Sequence, residues 1–172
     1  MDRHSPEMRK FFEGCIYSEK VFFIDKVVHL DASAKEIMAV ARTDRELPFS
    51  REQRGDPERH PRHVAGPELI MITGNLGFLH AYFFHGCRWE DGWVGFGNRI
   101  HRADFRRLAL LGPPLELRSR ETRTRVGAKR VMMRFEFEFK QGGQIVYEGD
   151  QSALFFRGLD ILDSEAPLSS EN

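Results

Sequence analysis

Cysteine is scarce in this chain. Among 172 residues there are two, Cys15 and Cys87, and they form no CxxC or Cys/His spacing. That excludes a disulfide scaffold and a cysteine-based zinc site, and it points to a reducing compartment, with the cytoplasm expected. Long apolar runs are also missing. No stretch approaches the ~18 residues that a membrane-spanning helix needs. The opening residues "MDRHSPEMRKFF" hold no apolar signal-peptide core. Net charge is absent as well, because 26 basic residues balance 26 acidic ones. No global field therefore favours nucleic acid or an anionic membrane, and any basic character that matters must be local. There is no internal repeat and no low-complexity linker.

What remains is 41% apolar and 30% charged, an ordinary globular composition in a chain long enough to bury one core. One domain is expected over residues 19–156, after an N-terminal lead-in (1–18) that is polar and loose over residues 1–8, and before a flexible Ser/Glu/Asn tail (157–172). "EKVFFIDKVVHLD" (19–31) and "KEIMAVART" (35–43) read as paired strands, rich in β-branched and aromatic residues. "RELPFSREQRGDPERHPRH" (45–63) is a long loop crowded with charge and proline.

The segment "RHPRHVAGPELIMITGNLGFLHAYFF" (59–84) follows. Pro67 fits the first turn of a helix and Glu68 suits the positive end of its dipole. From Leu69 to Phe84 apolar residues lie on nearly every side, so the helix is buried rather than amphipathic. Gly74 and Gly77 in its interior each cost about 1 kcal/mol against alanine and mark close approach of another backbone. Four strands come next, at 93–101, 114–126, 129–140 and 144–156. The clearest is "RFEFEFK", where Phe135, Phe137 and Phe139 share one face. Gly127-Ala128 and Gly142-Gly143 mark tight turns between antiparallel neighbours. The simplest solution is α+β, one long antiparallel sheet wrapped around one central helix.

That architecture is the hot-dog fold, and local motifs agree. "FFIDKVVHLDASAKEIMAVARTDRELPF", "GFGNRIHRADFRRLALLGPPLELRSRE" and "VYEGDQSALFF" resemble, in this order, segments of the β-hydroxyacyl-ACP dehydratases. The resemblance covers roughly residues 19–156 and implies a homodimer acting on an acyl thioester. It implies a loop histidine, His60 or His63, as base, and an acid on the central helix. The family position of that acid falls on Ile70 to Ile72, which carry no carboxylate, leaving Glu68 as a displaced acid. "HVAGPELIMITGNLGF" resembles instead the helix entry of long-chain fatty-acyl-CoA thioesterases. That likeness implies His63, Glu68 and Asn75 as site residues, with Phe49 in place of a tyrosine.

Each candidate has a plain alternative. Glu68 is favoured by the helix dipole without any catalytic task. Asn75, if buried, must find hydrogen-bond partners wherever it sits. His80 and His85 are spaced i, i+5, poorly placed for a shared metal, and no metal or other cofactor is expected. Arg99, Arg102, Arg106 and Arg107 can grip phosphates of CoA or phosphopantetheine, or keep a strand edge soluble. Since Pro67 has no N–H, donors for a thioester oxyanion are expected after it, and Gly66 and Leu69 flank that point. The leading expectation is a dehydratase of 3-hydroxyacyl thioesters carried on ACP or CoA. The alternatives are an acyl-thioester hydrolase and a non-catalytic acyl-binding protein. Acyl-thioester substrate and a second copy of the chain are the expected partners, with no nucleic acid and no membrane.

Overall fold

The computed structural model describes residues 1–56 and 58–158. Most of the tail expected at 157–172 thus lies outside the described residues. Helix α1 (Pro6–Gly14) is followed by strands β1 (Lys26–Asp31) and β2 (Glu36–Ala41) and by helix α2 (Gly66–His85). Strands β3 (Trp93–Phe105), β4 (Leu115–Val126), β5 (Arg130–Gln141) and β6 (Gln144–Arg157) complete the chain. The six strands form one sheet in the order β1-β2-β4-β5-β6-β3. Every pairing is antiparallel. This is the expected α+β hot-dog arrangement.

Side-chain alternation divides the sheet into two faces. Phe135, Phe137 and Phe139 of β5 are buried with Leu115 and Leu117 of β4 and Tyr147 and Phe155 of β6. Their neighbours on the other face form a ladder of ion pairs, Arg118–Glu36, Arg120–Glu136 and Arg134–Asp150. Helix α2 supplies the other half of the core, with Leu69, Ile72, Leu76 and Leu79 all nearly inaccessible. It ends at Gly86, whose φ of 61° forms the left-handed cap that glycine favours. Among the described residues no helix is long and apolar enough to cross a membrane.

Three expectations change, the first being that Gly74 and Gly77 meet no other backbone, since a Cβ at Gly74 would touch nothing within 4 Å and one at Gly77 only the Phe135 ring. The strand predicted from residue 19 begins only at Lys26. Phe22, Phe23 and Ile24 are three consecutive buried residues, which a strand with one solvent face cannot supply. They lie against α2, where the Phe23 N–H donates to Asn75 Oδ1 at 2.9 Å. Part of the predicted loose lead-in is also helical. Ser5 Oγ accepts from the Met8 N–H and Pro6 starts the helix, a capping signal present in "SPE". Phe11 of α1 then packs edge-on against Phe22, Tyr82 and Trp89.

Candidate functional site

The first turn of α2 gathers most of the residues singled out in the sequence, and it sorts them into two groups. Glu68 is fully buried. Its Oε1 accepts from the N–H groups of Phe49 (2.8 Å) and Ser50 (3.0 Å). Its Oε2 accepts from the Ala65 N–H at 2.9 Å and from the Ser50 hydroxyl. A glutamate in the first turn thus reaches back to the N-cap, as in a capping box. It also pins the long loop to the helix. The carboxylate makes no hydrogen bond with His60 or His63, and it lines none of the cavities described below. Asn75 is equally inaccessible, with its Oδ1 spent on Phe23. Phe49 is 57% exposed and contributes its backbone to Glu68 rather than its ring to a cavity. Glu68, expected as a displaced acid, and Asn75, expected as an amide near the reaction, both bind backbone N–H groups here.

His63 belongs to the other group. Its backbone N–H donates to Gln53 Oε1 (2.9 Å), and the chain there bridges to Leu110, while the Val64 N–H donates to Ala109 O at 2.7 Å. The ring Nδ1 lies 3.0 Å from the Pro61 carbonyl. A carbonyl only accepts, so Nδ1 carries a proton, and in the neutral ring Nε2 is the nitrogen with the lone pair. The imidazole lines a cavity of about 220 Å³ with Gly66, Leu69, Phe105, Arg107 and Leu108. Among the described residues no carboxylate lines it. His60 stands beside it, ring centroids 5.3 Å apart, but outside this cavity, and its backbone closes a small loop with Asp56.

Gly66 contributes a donor. The Glu68 and Leu69 N–H groups both point to Ala65 O, at 3.0 and 3.3 Å, and Pro67 has none. Among the described residues nothing accepts from the Gly66 N–H, which stands at the positive end of the helix dipole. The unengaged N–H thus lies before Pro67, whereas the donors were expected after it. A Cβ at residue 66 would press on the Phe105 ring at 3.3 Å, so glycine also keeps that wall of the cavity close.

The arginines divide as well. Arg102 pairs with Asp104 at 3.5 Å, and Arg106 with Asp104 and Glu148 at 3.1 and 2.7 Å. Arg99 makes no ion pair with a described residue. Only Arg107 of this group reaches the His63 cavity.

A second, smaller cavity of about 50 Å³ lies further along α2, between Thr73, Gly74, Phe78, Phe135 and Gln151. Its polar lining was missed in the sequence, where Thr73 and Gln151 look like isolated polar residues in apolar segments. Thr73 Oγ1 is 2.6 Å from Ile70 O and 2.8 Å from Gln151 Oε1, and Gln151 Nε2 is 3.0 Å from the Tyr147 hydroxyl. Burial raises the Tyr147 phenol above its ordinary value.

The far end of α2 carries an array with the connectivity of a catalytic triad. His80 Nε2 is 2.6 Å from Ser119 Oγ, and His80 Nδ1 is 2.9 Å from Glu121 Oε1. His85 and Thr124 also bind the Glu121 carboxylate. Ser119 and His80 are both 0% exposed, so the serine hydroxyl is closed off from solvent. Burial pushes the His80 imidazole below its ordinary range, although Glu121 acts to raise it. Burial alone would raise Glu121, but hydrogen bonds from His80, His85 and Thr124 bring it down to about 2. The cluster is a neutral histidine and an ionised carboxylate that join helix to sheet.

The sequence matches no family model and no curated relative. Solved structures do share the architecture. The dehydratase heterocomplex ApeI:P from Xenorhabdus doucetiae superposes with a TM-score of 0.62 at 11% identity, over 88% of this chain and 90% of that one. A point mutant of thioesterase PA1618 from Pseudomonas aeruginosa gives 0.56 at 12% identity, covering 90% and 96%. Thioesterase HI1161 from Haemophilus influenzae gives 0.55 at 14% identity, covering 87% and 90%. Identities this low establish the hot-dog fold and leave the chemistry to the residues.

Proposed function

We propose that this hot-dog chain is an acyl-thioester enzyme of the hydrolytic type, with His63 as its general base. The observation that carries this reading is the arrangement at the start of α2. His63, whose Nδ1–H is directed at Pro61 O, lines an apolar cavity together with Gly66, whose N–H is unengaged, and no described carboxylate lines it.

Dehydration of a 3-hydroxyacyl thioester by a separate base and acid requires a second ionisable group near the histidine. Glu68, the one candidate on the helix, already accepts four hydrogen bonds. Hydrolysis requires less. His63 Nε2 takes a proton from water as the oxygen attacks the thioester carbonyl. The carbonyl oxygen gains charge and is held by the Gly66 N–H. When the tetrahedral intermediate collapses, the C–S bond breaks and the imidazolium returns its proton to the departing thiolate. The products are a free acid and a thiol. Arg107 at the cavity wall is placed to meet a phosphate of the thiol-bearing group, whether on CoA or on a carrier protein.

A second copy of the chain fits the same reading. β3 is the last strand of the sheet, 13 residues long, with its outer edge unpaired within the described chain. Phe96, Ile100 and Phe105 on it are 41%, 52% and 54% exposed, more apolar surface than an unmanaged edge normally shows.

The test is mass spectrometry of the protein incubated with acyl-CoA and 3-hydroxyacyl-CoA thioesters. Free acid plus CoA is the expected product pair. Loss of water with the thioester intact would replace hydrolysis by dehydration, and no conversion would leave a binding protein.

A further inference from the structure

The small cavity beside Thr73 is unlike its surroundings. Its walls are Phe78, Phe135 and neighbouring apolar side chains, yet three polar residues line it, Ser152, which Asn98 and His101 engage, and Thr73 and Gln151, whose side chains meet there. Their own hydrogen bonds do not use them up. The Thr73 hydroxyl has one proton and two acceptors within reach, Ile70 O and Gln151 Oε1, while no described residue donates to it. Gln151 Nε2 has two protons and one partner, the Tyr147 hydroxyl. Reversing the amide changes the pattern but not the outcome. Gln151 then donates to Thr73, Tyr147 donates to Gln151, and Thr73 gives its proton to Ile70 O. In either orientation one N–H of Gln151 and at least one lone pair of Thr73 are left over.

The cavity is also open. A Cβ at Gly74 or at Gly97, both of which line it, would meet nothing within 4 Å. At about 50 Å³, against about 220 Å³ for the His63 cavity, it takes a substituent and not a whole chain.

We propose that the Thr73–Gln151 pair is a specificity notch for a hydroxyl group carried on the acyl chain of the substrate. A hydroxyl gives its proton to Thr73 Oγ1 and accepts from Gln151 Nε2, so both leftover groups are satisfied. A keto oxygen can only accept, and so satisfies Gln151 alone. A methylene satisfies neither and covers two polar groups with hydrocarbon. The order of preference is therefore hydroxyl, then oxo, then unsubstituted. The inference rests on the acyl-thioester reading for what delivers the hydroxyl, and on the notch alone for the preference.

The experiment is calorimetric binding of non-cleavable amide analogues of acyl-CoA, with one hydroxyl moved carbon by carbon along a chain of fixed length. Wild type is expected to bind one positional isomer about tenfold or more tighter than the unsubstituted analogue. Thr73→Val and Gln151→Met, each close in shape, should reduce that ratio to within about twofold while leaving the unsubstituted analogue bound as well or better. Equal affinity at every position, a preference that survives both variants, or no binding of any analogue overturns the inference. Hydrolysis is assayed separately with the cleavable thioesters. Selective binding without turnover would sink the hydrolytic reading alone, and turnover without hydroxyl selectivity would sink the notch alone.

Discussion

Replacing Glu68 separates the structural role assigned to it from a catalytic one. In Glu68→Ala the Phe49 N–H, the Ser50 N–H and the Ser50 hydroxyl lose their acceptor, whereas the Ala65 N–H keeps Ser50 Oγ at 3.0 Å. The hydroxyl can rotate to another partner, and the two fixed N–H donors at roughly 1–3 kcal/mol each, softened by water entering the loop, give a loss of about 3 kcal/mol. Glu68→Gln is milder. Its amide nitrogen is poorly placed at Oε1, where two backbone donors converge, but acceptable at Oε2, where the Ser50 hydroxyl can turn and accept. The remaining cost is the charge assistance, about 1 kcal/mol. Urea unfolding should therefore rank wild type above Glu68→Gln above Glu68→Ala. Thioester hydrolysis by Glu68→Gln at a temperature where it is folded should stay within about tenfold of wild type, since a bonding pattern is changed and no proton-transfer group is lost. A Glu68→Gln protein with the wild-type urea midpoint and a loss of about a thousandfold in kcat/KM would refute this and make Glu68 a participant in the reaction.

Three other outcomes follow from the same structure. Glu121 sits at about 2 when folded against an ordinary 4.5, and His80 lies below its ordinary 6.5. In both cases the unfolded chain takes up the proton first, so their stabilisation is whole above about pH 6.5. It should fall as pH drops, first through His80 and then, below about 4.5, through Glu121. Urea midpoints below about pH 4.5 should show a shallower slope in Glu121→Gln, and an unchanged slope there would mean that Glu121 contributes nothing to the pH dependence. Gly74→Ala should stabilise the chain by about 1 kcal/mol, because its Cβ meets open space in a helix interior. Gly149→Ala should cost about 2 kcal/mol or more, because its Cβ would lie 2.5 Å from the Tyr147 hydroxyl; thermal melts of the pair give both signs at once. If a second copy pairs along β3, Ile100→Lys at its exposed middle should shift the mass in light scattering from dimer to monomer, and a monomeric wild type would end that reading.

The parts of the fold legible in the sequence are those where one period dominates. The Phe135-Phe137-Phe139 alternation and the all-round apolar helix from Leu69 each correspond to an observed element. Phe22 to Ile24 misled because propensity reports burial and not sheet pairing, and Asn75 supplied the backbone partner that a strand would have. The site was partly readable for the same reason. His63, Gly66 and Leu69 are close in sequence and share a cavity, and Pro67 marks where the helix starts. Glu68 was visible but its partners, Phe49 and Ser50, are 19 and 18 residues away. Thr73–Gln151 and His80–Ser119 join residues 78 and 39 apart, distances that only the strand order resolves.

The assignment of His63 as base stands or falls on kcat/KM for acyl-CoA hydrolysis by wild type, His63→Gln and His60→Gln, with the products identified by mass. Free acid is expected from wild type, with a loss of about a hundredfold or more in His63→Gln and little change in His60→Gln. Undiminished hydrolysis by His63→Gln, or the larger loss in His60→Gln, would contradict it.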